Sequence, residues 1–468
     1  MFGSPFTGFG LKSLITGALL LCSSSSVSAK RSNQWIDIWG SMPQLVEPGN
    51  LPPAPYVSCV RNRYSDFATR SRERLYTDKN SNSQNGEDAV FKNATLRQTV
   101  YITQDASTIR LSFSNAFGGS DLPITAATVA LPASRAGAGS SAIKPGSVKT
   151  VTFSGGKPDF LVPNGALVIS DPIKFNVKAQ SILTVTLYLA SGQAGQSITG
   201  HPGSRTTSWL APGNLVSATN LTSAGTQSTD HWYFLSSIEA YQPERASALY
   251  IVGDSITDGR GSTTNANNRW PDQLLARLQK AGRSLSSISV INQAAGGNRV
   301  LADGLGPNAL GRIERDVLAR PGSGVRYALV FEGVNDIGTA ALDSASQTTV
   351  GDRLISAYEQ MITRLHSHGI AAFGATITPM SGPGQAYGGP EREKTRQRVN
   401  EWIRRSGRFD AVVDFDKAVR DRSNGTMLDK RWDSGDYLHL NPEGYRTMAE
   451  AVDLKIFERF ADGVDVYL

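Results

Sequence analysis

Ala248-Leu249-Tyr250-Ile251-Val252-Gly253-Asp254-Ser255-Ile256-Thr257-Asp258-Gly259 is the stretch that decides the fold. Ala248 to Val252 is an unbroken apolar and aromatic run, the pattern of a strand covered on both faces in a parallel sheet. The run stops at Gly253, and Ser255 stands just past it. Ligands of an open parallel sheet gather beyond the C-terminal strand ends, so Ser255 stands where a nucleophile would meet a substrate. Near the other end of the chain is Asp436-Tyr437-Leu438-His439. A histidine with an aspartate three residues before it is the base that such a serine needs.

Downstream of Ser255, strand runs at 288–291, 327–331, 371–377 and 411–415 alternate with helix-period segments at 273–280, 354–366 and 393–405. A last helix opens at Asn441-Pro442, a cap followed by proline at the first helical position, and carries the stripe Tyr445, Met448, Ala449, Val452, Ile456 and Phe460. This alternation predicts an α/β domain over 246–468, a flavodoxin-like three-layer α/β/α arrangement around a parallel sheet. Upstream the texture changes. Segments 96–102, 108–113 and 181–189 alternate apolar and polar residues between Gly-, Pro- and Asn-containing turns, with no long helical period. They predict an all-β sandwich of jelly-roll type over 30–241. Residues 242–245 read as a connector, and 65–87 as a polar surface loop.

The first 29 residues read as a secretory signal peptide: Lys12, an apolar run from Leu14 to Cys22, and small residues through Ala29. The run is too short to span a bilayer. The mature protein is therefore expected to be secreted and extracellular, without a membrane span. The pair Lys30-Arg31 is a candidate for further processing. Cys22 would leave with the signal, so Cys59 stands alone and no internal disulfide is expected. Stability must come from the core, which 468 residues at 40% hydrophobic content permit. Asn93, Asn220 and Asn424 head sequons and are candidate glycosylation sites. The net charge of +6 becomes +5 without Lys12, and the cations are scattered. That pattern speaks against a nucleic-acid partner and mildly favours an acidic polymer. The oligomeric state is not legible.

Ester hydrolysis needs a nucleophile, a base, a group orienting the base, and donors for the oxyanion. Gly296-Gly297-Asn298 follows the second strand and Gly333-Val334-Asn335-Asp336 the third, both at the ligand-gathering edge. Gly253-Asp254-Ser255, Gly297, Gly333-Val334-Asn335-Asp336 and Asp436-Tyr437-Leu438-His439 resemble, in order, the four blocks of the SGNH (GDSL-type) hydrolase superfamily. The longer stretches 253–262 and 268–272 are similar to a secreted esterase and arylesterase subgroup, including a xylanolytic branch, that often carries an N-terminal β domain. The resemblance implies Ser255 as nucleophile, His439 as base and Asp436 as its orienting acid. It implies an oxyanion hole from the Ser255 and Gly297 backbone N–H groups and the Asn335 amide, with no metal and no cofactor. Either Gly296 or Gly297 could present the backbone donor. Gly297 is preferred because it directly precedes Asn298, as in the family's pairing. Asp414 and Asp416 stand as an alternative source of the orienting acid. Asp336 reads as a helix cap, and Asp254 and Asp258 as residues that shape their loop.

Two imitations compete with this constellation. Gly195-Gln196-Ser197-Ile198-Thr199, with His201 close by, mimics the nucleophile block but lies in the β half, in a stretch read as loop. Residues 199–205 could nonetheless border the site. His366 and His368 imitate a metal pair, yet a spacing of two puts them on different helix faces. The expected function is a secreted serine esterase acting through an acyl-serine intermediate on a small-molecule or polysaccharide ester. Short acyl (acetyl) groups on plant cell-wall carbohydrate are the favoured substrate. Aryl-ester or short-chain lipid hydrolysis, and a carbohydrate-binding protein with an idle hydrolase fold, are the alternatives.

Overall fold

The computed structural model describes residues 33–57, 89–282, 284–320 and 324–465. The signal segment, Lys30-Arg31, Cys59 and the 65–87 loop lie outside the described residues. The β-rich half contains β1 (Asn33–Gly40), β2 (Ala94–Tyr101), β3 (Ala106–Ser114), β4 (Ile182–Leu189), β5 (Thr199–His201) and β6 (Leu235–Pro243). β1, β6 and β3 are successive neighbours in one antiparallel sheet, while β2 and β4 pair antiparallel in a second. Alternation along β2 and β4 predicts one wet face, but both strands are buried on both faces. Surface loops cover the polar side. The buried Arg97 of β2 is satisfied there, donating to Thr186 Oγ1 (3.0 Å) and to the carbonyls of Ser141 (2.6 Å) and Ala218 (2.8 Å).

The second half is built on β7 (Ser247–Gly253), β8 (Ile288–Ala294), β9 (Val325–Phe331), β10 (Ala371–Ala375) and β11 (Ala411–Val413). These are parallel throughout, in the order β8-β7-β9-β10-β11. That is the flavodoxin-like order, and it reverses beside β7, where open sheets place their ligands. Every residue of β7 is buried, as its continuous apolar run requires. The connecting helices include α1 (Ser255–Asp258), α2 (Trp270–Ala281), α3 (Val334–Thr339), α4 (Ser344–His366), α5 (Pro390–Arg405) and α6 (Pro442–Ala451). α2 packs on α6, and α4 packs on α3 and α5.

Two local expectations need correction. The last apolar stripe is not one helix: α6 stops at Ala451 and a separate short helix runs Lys455–Arg459. Arg277 donates to the carbonyls of Ala449 and Val452, and Asp453 accepts the Lys455 N–H (3.0 Å), so both broken ends are satisfied. Residues Gln242 and Pro243, read as connector, still belong to β6 and pair with β1. The two halves also share buried polar contacts. Tyr250 of β7 donates to Asp37 of β1, and Gln104 donates to the carbonyls of Ser247 (3.2 Å) and Ser287 (2.5 Å). From Asn33 onward the chain forms one compact unit.

Candidate active site

Ser255 is the first residue of α1, directly beyond β7. Asp254 caps that helix, its carboxylate accepting the Ile256 N–H at 2.9 Å. Ser255 Oγ lies 2.7 Å from His439 Nε2, and His439 Nδ1 lies 2.6 Å from Asp436 Oδ2. A carboxylate oxygen can only accept, so Nδ1 carries the ring hydrogen and Nε2 turns its lone pair to the serine hydroxyl. The other Asp436 oxygen accepts the backbone N–H groups of His439 (2.8 Å) and Leu438 (3.1 Å), locking the turn that presents the ring. Burial pushes the Asp436 carboxyl up, but the His439 ring and backbone donors and the Leu438 N–H outweigh it, holding the acid well below the usual carboxylate range.

Across a cavity of about 800 Å³ stand Gly296, Gly297 and Asn335. The Gly296 N–H is already committed, donating to Asp258 Oδ2 at 3.1 Å. The Gly297 and Ser255 N–H groups make no hydrogen bond among the described residues. Gly297 has φ +72°, and a Cβ there would come within 2.5 Å of Leu305, so the turn demands glycine. Asn335 donates from Nδ2 to the Asn298 carbonyl (2.8 Å) and accepts the Tyr387 hydroxyl at Oδ1 (3.0 Å), which fixes its amide face. One Nδ2 hydrogen remains for the cavity. Asp336, read as a cap, instead accepts the N–H groups of Val300 (2.8 Å) and Leu301 (2.9 Å) and so holds the loop that follows Asn298.

Sequence reading missed the support behind this loop. His201 is 3% exposed; its Nε2 lies 2.9 Å from Asp258 Oδ1 and its Nδ1 lies 3.1 Å from the Met42 carbonyl. A β-strand residue of the N-terminal half therefore holds the acid that holds Gly296. Gly203 makes the approach possible, since a Cβ there would fall 1.7 Å from Asp258 Oδ2. Residues 199–201, read as loop, form β5, and Pro202, Gly203 and Arg205 line the same cavity as Ser255. Asp254 sits among buried acids: burial first, then the carboxylates of Asp336 and Asp258, push it up to about 7, against the Ile256 N–H and Arg312.

Residues 251–447 match the family described as GDSL-like lipase/acylhydrolase. The matched range contains Ser255, Gly297, Asn335, Asp436 and His439, and the family comprises ester-hydrolysing enzymes. No curated protein matches the chain. Among solved structures, an acetyl xylan esterase, AlAXEase, is similar at 21% identity and TM-score 0.33, covering 44% of this chain and 96% of its own. A variant of an acetyl xylan esterase from Geobacillus stearothermophilus is similar at 20% identity and TM-score 0.34, over 48% and 100%. A lipase/acylhydrolase from Enterococcus faecalis is similar at 21% and 0.35, over 46% and 96%.

The remaining candidates lie apart from the family's blocks. Asp414 is held by Arg404 (2.8 Å) and Asp416 by Arg396 (2.6 Å), so neither orients His439. Ser197 is exposed and outside the cavity. His366 Nε2 meets Asp410 at 2.8 Å, while His368 Nδ1 meets the Arg364 carbonyl at 3.0 Å. Asn93, Asn220 and Asn424 are all exposed. Among the described residues no helix is long and apolar enough to cross a membrane.

Proposed function

We propose that the protein is a serine esterase with Ser255 as nucleophile. His439 Nε2 takes the Ser255 proton as Oγ attacks the ester carbonyl. Asp436 steadies the imidazolium, and the alcohol leaves with that proton. Water then enters by the same base catalysis and releases the acid from acyl-Ser255. The oxyanion is received by the N–H groups of Ser255 and Gly297 and the free Nδ2 hydrogen of Asn335. The observation that carries the reading is the 2.7 Å contact between Ser255 Oγ and His439 Nε2, with Asp436 at 2.6 Å on the far ring nitrogen.

The favoured substrate is a short acyl group, acetyl first, on plant cell-wall carbohydrate. Apart from Pro202, the aliphatic side chains of the cavity are Leu305 and Leu438, and amides and hydroxyls such as Gln44, Asn50, Gln385 and Tyr387 make up much of the rest. Such a lining suits a polyhydroxylated alcohol better than a long acyl chain. Secretion, glycosylation at the three sequons, a jelly-roll β domain and a three-layer hydrolase domain belong to the same reading. The test is hydrolysis of 4-nitrophenyl acetate by wild type and Ser255→Ala. Loss of the nucleophile should lower turnover by about 10⁶-fold; equal rates would refute the assignment.

A further inference from the structure

Two cations line the cavity without a partner among the described residues. Arg205 and Arg260 both line it, and neither side chain makes a hydrogen bond or ion pair among the described residues. The Arg205 Nε is fully buried and has no acceptor among the described residues. Burying a donor without a partner is unfavourable, and most such groups in folded proteins have one. The cavity's acids are all engaged. Glu47 accepts from Gln44 (2.7 Å) and Asn50 (3.0 Å), Asp258 is held by His201 and Gly296, and Asp436 by His439. Among the described residues, the unpaired charge lining this cavity is therefore positive.

Arg205 is also held in place at some cost. Its φ is +51°, a left-handed conformation that a long side chain rarely adopts. The surrounding loop enforces it: the Arg205 carbonyl accepts the Asn265 N–H (2.9 Å), and Ser204 Oγ donates to the carbonyls of Thr206 (2.9 Å) and Asp230 (2.8 Å). Strained residues kept by an over-determined frame cluster at ligand clamps. A planar guanidinium fork suits a carboxylate held by two parallel hydrogen bonds.

We propose that Arg205, with Arg260 in the same cavity, forms an anion-binding subsite for a carboxylate on the alcohol part of the ester, so that the substrate is an acylated acidic carbohydrate of uronate type. This deepens the esterase reading and rests on it. The largely polar lining shared with the arginines favours a sugar acid over a phospholipid, whose acyl chains would find little apolar wall beyond Leu305 and Leu438.

The experiment compares kcat/KM on acetylated polygalacturonate, acetylated xylan freed of uronate, and 4-nitrophenyl acetate, for wild type, Arg205→Gln, Arg205→Lys and the Arg205→Gln/Arg260→Gln double variant. Wild type should favour the acidic polymer over the neutral one, with the preference shrinking as sodium chloride is added. Arg205→Gln should cut the acidic-to-neutral ratio by about 10–100-fold, the worth of a charge-assisted hydrogen bond lost from a buried site, and Arg205→Lys should restore part of it. Thermal melts establish that each variant is folded. A wild-type ratio at or below one, a ratio unchanged in the folded variants, or an arginine-dependent preference for lysophospholipid would overturn the proposal. Failure of wild type on 4-nitrophenyl acetate would instead overturn the esterase reading beneath it.

Discussion

His201→Ala separates a packed β-strand histidine from one on which the oxyanion loop depends. The His201 and Asp258 side chains are 3% and 2% exposed and 2.9 Å apart. The Met42 carbonyl can only accept, so a proton sits on Nδ1, and the proton between Nε2 and Asp258 makes the contact a buried, charge-assisted pair. Removing one member of such a pair leaves the other buried and alone, at a cost of about 3–5 kcal/mol. Asp258 then keeps only the Gly296 N–H as a partner in its pocket and can recover solvation only by turning away from it. Gly297, the next residue, would lose its fixed direction. One misplaced oxyanion donor costs on the order of 10²–10³ in kcat. The expected result is a lowered urea midpoint, together with a kcat loss of up to that size and little change in KM. Asp258→Asn keeps the shape but not the charge, and combining it with His201→Ala should cost less than the sum of the two. A His201→Ala protein with wild-type urea midpoint and kcat would refute this chain of support, as would strict additivity in the double variant.

Gly297→Ala places a Cβ at φ +72° within 2.5 Å of Leu305, and kcat should fall by tenfold or more at nearly constant KM, measured on 4-nitrophenyl acetate. Asp436→Asn keeps the turn but removes the acceptor that sets the His439 tautomer, and the expected loss in kcat is about 10⁴-fold. Because the folded-state pKa of Asp436 lies below its unfolded value, its stabilising contribution is present at neutral pH and is lost only in strong acid. The urea midpoint of Asp436→Asn should therefore approach that of wild type as the pH falls. Asp254 has the opposite sign. With its folded-state pKa pushed up to about 7, its contribution is full below about pH 4 and is lost as pH rises through 7. Asp254→Asn can keep the cap on Ile256 while flattening that decline, measured as urea midpoints at pH 5 and pH 8; an unchanged slope would contradict it.

Features written in short stretches were legible from the residues alone. The apolar run before Ser255 marks a strand covered on both faces, and the glycine after it ends the run at the ligand-gathering edge. Asp436 and His439 are three residues apart, so one turn can join them through the Asp436 side chain and two backbone N–H groups. The α/β alternation was legible for the same reason, since each strand and helix carries its own period. Features that depend on segments far apart in the chain became visible with the completed fold. It separated Gly296 from Gly297 because Asp258 takes the first N–H, and it removed Asp414 and Asp416 because Arg404 and Arg396 hold them. It split the last helix where Arg277 reaches the carbonyls of Ala449 and Val452. It brought Arg205 of the β half to the cavity of Ser255, and it set His201 behind the oxyanion loop against Asp258. No local pattern encodes these contacts, because hydrogen bonds and buried charges are satisfied in space by whatever partner the completed fold delivers.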